Sequence, residues 1–313
     1  VKQLLYFAYF ILLLASCTKE VNIDIPQYKP DLVVDGSIEA GGYPIVLLST
    51  SLDIYQESYG GAWVNSFITD ANVQVACEGD THQLNYDLLN NFPVWTQKKF
   101  AEMLRADWPE ITTIPLMVYS CTSFVAQPNK VYELLIDYKG KRYSAKTFLP
   151  LPTPLQSVSF VPTTENPLYG ELKAILSDPP VQTDYYKLET RRIDIFQGSV
   201  IDEIFKRARR SYFRDRYYNG GTVDFMISNN LKNKDSLNHD PLFRDYFKNG
   251  DSVVIKLSKI DKNVFMFFRK KNEQLQNLGN PYSSPMNIPT NIDGGALGIW
   301  AGCTPWLDTI VCQ

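Results

Sequence analysis

The residues of this chain best suited to chemistry are its cysteines and one dense run of arginines. Cys17 closes the tetrad Leu14-Ala15-Ser16-Cys17, which follows Lys2 and an apolar run from Leu4 to Leu14. One positive charge, a short apolar run and two small residues describe a secretory signal peptide. The run is too short to cross a bilayer as a helix, which takes roughly 20 residues. With cysteine in the next place, the tetrad resembles the bacterial lipobox. The Cys17 thiol is expected to carry a diacylglycerol and to become the new N-terminus once residues 1–16 are removed. Acyl chains hold a protein to a membrane surface without crossing it.

Cys77, Cys121, Cys303 and Cys312 remain. Four cysteines in an exported chain suggest disulfides, with three possible connectivities. The pairing expected is Cys77–Cys121 within the first folded unit and Cys303–Cys312 as a short terminal clip. No Cys-x-x-Cys pair occurs, so no metal is expected at the cysteines. Asn233, Asp235, Asn238 and Asp240 miss the spacing of a calcium loop and lack its glycine and closing glutamate.

The arginines lie in Lys206 to Tyr218, where Arg207, Arg209, Arg210, Arg214 and Arg216 are interleaved with Phe213, Tyr217 and Tyr218. Charge that finds phosphates and rings that stack bases would suit nucleic acid, but an exported, lipid-anchored chain does not meet it. The run instead fits an acidic protein surface, a surface glycan or the phosphates of lipopolysaccharide. The plainer alternative is a solvated strand pair turning at Asn219-Gly220-Gly221. On a regular strand, Arg207 and Arg209 would share a side and Arg210 would face the other way.

Motifs for catalysis do not occur: there is no Gly-x-Ser-x-Gly, no His-Glu-x-x-His and no phosphate loop. A net charge of −3 argues against a dedicated nucleic-acid binder. Two acids brought together in space would suffice for a carboxylate-dependent hydrolase, the second functional class. No catalytic residue and no cofactor is assigned.

The elements that position these residues read as mainly β. With 19 Tyr and 17 Phe in 313 residues, the composition favours pleated, half-buried surfaces. Residues 17–30 form a tether. Asp31 to Ile38 is a strand in which Gly36 marks a bulge or a close backbone approach. Further strands follow at short intervals, joined by Gly41-Gly42, Gly79-Asp80 and Lys139-Gly140. Trp95 to Trp108 has helical spacing stopped by Pro109, with the two tryptophans either an aromatic contact site or the cap of a core. Alternating Pro150, Pro152 and Pro154 make a stiff spacer. After it come more strands, then a helix capped by Asp261 and running to about Gln276. The architecture expected is two tandem Ig-like β-sandwich domains, 31–149 and 157–313, joined by a linker at 150–156. The first carries a short helical insertion, and the second carries one helix near its end.

The close of the chain carries Asn280-Pro281-Tyr282-Ser283-Ser284-Pro285 and then Asn291-Ile292-Asp293-Gly294-Gly295-Ala296-Leu297-Gly298. With Leu32-Val33-Val34-Asp35-Gly36, Asp178-Pro179-Pro180 before Tyr185-Tyr186, and Gly250-Asp251 before Ile260-Asp261, it resembles the domain-of-unknown-function 4249 family (DUF4249) of Bacteroidota lipoproteins. The resemblance covers nearly the whole mature chain. It implies an all-β lipoprotein of the outer membrane, at the cell surface or on the periplasmic leaflet, found beside TonB-dependent receptors. It carries no catalytic residue. A non-enzymatic accessory or ligand-capture subunit of such a receptor is the function expected, with an adhesin or glycan-binding module as the alternative. The cysteine pair near the end departs from the family pattern.

Overall fold

The first strand shows how the sequence sorts its faces. In β1 (Leu32–Glu39), buried Leu32, Val34 and Ile38 alternate with half-buried Val33, Asp35 and Ser37, the period of two that a sheet with unlike faces requires. The computed structural model describes residues 31–51, 66–180, 183–216, 219–229, 240–277 and 287–313. The signal peptide, Cys17, the tether, Tyr217, Tyr218, Asn233, Asp235, Asn238 and the segment 280–285 lie outside the described residues. No helix among the described residues is long and apolar enough to cross a membrane.

After β1 come β2 (Ile45–Thr50), β3 (Asn72–Cys77), β4 (Asp80–Gln83), β5 (Asn85–Leu88), helix α1 (Val94–Leu104), β6 (Met117–Ser120), β7 (Lys130–Tyr138) and β8 (Lys141–Leu149). Past the prolines follow β9 (Leu155–Pro162), β10 (Tyr169–Ser177), β11 (Tyr185–Arg192), the two-residue pair β12 (Ile195–Phe196) and β13 (Ser199–Val200), then β14 (Lys206–Arg214) and β15 (Thr222–Ile227). The chain closes with β16 (Phe247–Lys248), β17 (Ser252–Ile260), helix α2 (Lys262–Gln276), β18 (Ile292–Asp293) and β19 (Leu297–Val311). The fold is mostly β and sandwich-like, with a helical insertion early and a helix late, as the sequence suggests.

One sheet of eight strands runs β14-β11-β17-β19-β1-β2-β6-β5. A five-stranded sheet, β18-β8-β7-β3-β4, and a smaller one built on β10 with β9, β15 and β16 accompany it. A first core holds Val34, Ile38, Val73, Val75, Leu134, Ile136 and Trp300, and a second holds Leu172, Leu176, Tyr186, Leu188, Val253, Ile255 and Leu257. The proline spacer divides these cores, but the large sheet takes strands from both sides of it.

The strand that joins the halves is β19. Leu297–Cys303 runs parallel to β1, and Cys303–Val311 runs antiparallel to β17. Pro305 sits past the β1 pairing, where β19 keeps only β17 as a partner, consistent with the confinement of proline to places with a free strand side. Close approach explains two glycines. A Cβ on Gly36 would stand 2.7 Å from the Trp300 ring, and one on Gly298, whose φ is +103°, would stand 2.0 Å from the Val34 carbonyl oxygen. Gly36 is therefore a close approach rather than a bulge, because its register with β2 and β19 is unbroken. Trp300 is buried, and its indole donates to the Tyr132 carbonyl at 3.1 Å. Asn291 holds the same residue by its backbone, accepting from the Trp300 amide and donating to its carbonyl, both at 2.9 Å.

The helices cover the opposite face of the large sheet. Pro93 precedes α1, which buries Phe100 and Ala101 against Ile45, Leu47 and Val118. Asp261 caps α2 by accepting from the Val264 amide at 2.9 Å. Val264, Phe265 and Phe267 then pack on Ile260, Ile299, Ala301 and Cys303. Trp95 and Trp108 pack against the α1 core, and Lys98 lies over the Trp108 ring at 4.3 Å, so both rings cap a core.

Candidate functional site: a charged cleft between the helices

Alternation sends Glu39, Lys187, Glu189 and Lys256 to the helix side of the sheet, where α1 adds Lys99 and Glu102. Lys256 Nζ reaches Glu39 Oε2 at 2.7 Å and Oε1 at 3.0 Å, and stands 3.9 Å from both Glu102 and Glu189. Lys99 pairs with Glu39 and, at 2.7 Å, with Glu102; Lys187 pairs with Glu189 at 2.7 Å. Three carboxylates thus meet three ammonium groups, and Lys256, Glu189 and Glu39 are all buried. Burial alone would raise the Glu39 carboxyl, but Lys256 and Lys99 outweigh it and hold the group well below the ordinary carboxylate range. Glu189 is lowered in the same way, against its burial, first by Lys187 and then by Lys256. For Lys99, burial works against the charge, yet Glu102 and Glu39 hold its ammonium well above the usual lysine range.

Above this neutral floor opens a cavity of about 250 Å³ lined by Asp35, Met103, Arg105, Arg207, Phe268, Lys271 and Leu275 among others. A second cavity of about 470 Å³ shares Glu102, Arg105, Arg207 and Leu275 with it, so the two adjoin. The lining of the first brings Arg105, Arg207 and Lys271 together with Asp35. Arg105 closes α1 in the left-handed conformation, with φ 57°, and donates to Asn272 Oδ1 at 2.7 Å. Burial first and then the Arg207 charge push the Arg105 guanidinium below its usual range, as expected where cations crowd.

The arginine run divides. Arg207 lies 5.4 Å from the Phe268 ring and 5.7 Å from the Tyr212 ring, and it lines both cavities. Phe213 turns inward, stacking on Tyr186 at 5.3 Å. Arg214 is half-buried and Arg216 exposed. The solvated hairpin considered as the alternative does not form, because β14 pairs with β11 as an edge strand and β15 pairs with β10 in another sheet. The side chains of Arg209 and Arg210 lie outside the described residues, and the regular pairing on which their expected alternation with Arg207 depends is interrupted. Opposite Lys187 and Glu189 the β14 partners jump from Tyr212 to Arg207, so Ala208 to Ser211 bulge out of register.

The cysteines correct the disulfide expectation. All four described cysteines are free. Cys303 and Cys312 lie nine positions apart along one extended strand, roughly 30 Å at strand rise, far beyond the reach of a disulfide. Cys77 and Cys121 both border the first core, from β3 and from the residue after β6, without a bond between them. Cys303 donates to Glu39 Oε2 at 3.4 Å, and burial and then the Glu39 charge push its thiol up to about 12.

Sequence reading missed the floor of the cleft. One signal was present: Lys256 interrupts Val253-Val254-Ile255 before Leu257, and a lysine inside an apolar strand calls for a buried partner. Its partner Glu39 is 217 positions away, too far for any spacing rule.

These features define a mostly β protein whose large sheet carries two cores on one face and a helix-walled, cation-lined cleft on the other. The chain matches the model of the domain of unknown function DUF4249 over residues 18–305 and belongs to that family. No curated protein matches it.

Proposed function

We propose that this protein is a non-enzymatic, lipid-anchored outer-membrane lipoprotein that captures an anionic ligand or acidic partner segment as the accessory subunit of a TonB-dependent receptor. The observation that carries the reading is the division of charge in the cleft. Glutamates and lysines pair off on the floor, and Arg105, Arg207 and Lys271 add three further cations to the lining. Pinned carboxylates and a thiol raised to about 12 suit a scaffold better than acid–base or nucleophilic chemistry at neutral pH. The tetrad ending in Cys17 supports the anchor, and family membership supports the setting. Together, the two cavities match in size the clefts that hold small ligands.

Affinity capture from solubilised outer membranes tests it. The intact chain should co-purify with a TonB-dependent receptor, and the Arg105→Gln/Arg207→Gln variant should do so less, with the loss growing at low salt where the wild type binds best. A wild-type preparation that brings down no receptor would sink the assignment.

A further inference from the structure

Away from the cleft, three aspartates converge from separate places: Asp178 after β10, Asp184 before β11 and Asp215 after β14. One carboxylate oxygen from each lies within 4.8 Å of the others, and the three residues are 4%, 2% and 0% exposed. The contacts around them are few. The Tyr186 hydroxyl donates to Asp178 Oδ1 at 2.7 Å and stands 3.5 Å from Asp184 Oδ2. The Gly220 amide donates to Asp178 Oδ2 at 3.3 Å, and the Asp184 amide donates to Asp215 Oδ2 at 2.7 Å. Lys259 pairs with Asp184. Asp215 Oδ1, fully buried, has no hydrogen-bond partner among the described residues.

We propose that Asp178, Asp184 and Asp215 bind a hard divalent cation. Three buried carboxylates held this close repel one another, and a dication between them would relieve that repulsion. Buried charge without a partner is costly, and an orphaned carboxylate oxygen turned into a group of carboxylates is the ligand such an ion lacks. The donor set is all oxygen, which selects calcium, magnesium or manganese over softer metals. The three oxygens lie within 4.8 Å of one another, so a point equidistant from them is at most about 2.8 Å from each, inside the reach of a hard cation's oxygen shell. The ion would tie together the end of β10 and the ends of β11 and β14, which belong to different sheets.

Thermal unfolding of the purified full-length protein, after treatment with chelator, gives the test. Millimolar calcium should raise Tm by at least about 3 °C, and Asp215→Asn should remove that shift. A control, Asp224→Asn on exposed β15, should keep it. Terbium supplies a second readout that does not depend on stability. Tyrosine-sensitised emission, with Tyr186 as the adjacent antenna, should appear in the wild type, be displaced by calcium and vanish in Asp215→Asn. A chelated wild type indifferent to calcium in both measurements would overturn the site and leave a proton shared by Asp215 and Asp178. So would an Asp215→Asn variant that keeps the full response.

Discussion

The floor of the cleft and the aspartate cluster are both buried groups of charge, and they are built on opposite terms. In the cleft, Glu39, Glu102 and Glu189 are matched one for one by Lys99, Lys187 and Lys256. At the strand ends, three aspartates crowd one another, and Lys259 pairs with Asp184. The electrostatic consequences differ in sign. The cleft lysines pull Glu39 and Glu189 down, whereas burial, and after it the neighbouring Asp178, drives Asp215 up despite the amide it accepts from. Burial therefore does not decide what a buried carboxylate does; the charges within reach decide it. A closed set of charges serves as structure, and an open one invites something to complete it.

The sharpest way to break the closed set is Lys256→Met. It leaves Glu39 with Lys99 alone and Glu189 with Lys187 alone, and breaking a buried pair on one side costs about 3–5 kcal/mol. Chemical denaturation should show that loss. Restoring neutrality with Lys256→Met/Glu39→Gln should recover a good part of it, and no recovery would mean that lost packing rather than charge carries the cost.

Acid titration sets the two groups against each other. Glu39 and Glu189 have folded pKa values below the ordinary glutamate value, so their stabilisation is present above that value and is lost as pH falls through the folded values. Burial holds the folded pKa of Asp215 above the ordinary aspartate value. Its contribution is present below that value and lost as pH rises through the folded one. In chelator, Glu39→Gln should flatten the acid limb of the stability profile, while Asp215→Asn should flatten its rise-dependent loss nearer neutrality. Parallel profiles for the two variants would erase the distinction.

Smaller effects follow from geometry. Gly36→Ala forces a methyl to within 2.7 Å of the Trp300 ring and should cost about 1–3 kcal/mol as overpacking, visible in Tm with a shift in tryptophan emission. In the cleft, Arg105→Gly relieves a left-handed backbone and should stabilise the metal-free fold by up to about 1 kcal/mol while weakening anion capture. A variant that captures as well as the wild type would remove Arg105 from the proposed function.

What could be read from the sequence was local. Asp261 announces α2 because its cap lies three positions from the amide it satisfies. Gly140 sets the β7–β8 hairpin by permitting a turn with φ 75°. The spacing around Phe100 found α1. What could not be read was joined over distance: Glu39 with Lys256, the three aspartates, and β1 beside β19. The terminal cysteines show the same boundary from the other side. In the sequence Cys303 and Cys312 read as a short terminal clip, and only the pairing of β19 with β17 reveals that the chain stays extended there.

That long last strand has a mechanical meaning. β1 begins at Leu32, where the tether ends, and it lies between β2 and β19 over almost its whole length. A pull entering at Asp31 along the strand axis meets both rows of backbone hydrogen bonds in shear, loading them together instead of opening them one after another. The load passes into β19, and through it to β17 on the far side of the sheet. A chain held by its front end would thus transmit tension into both cores at once and resist being unravelled from the point at which it is held.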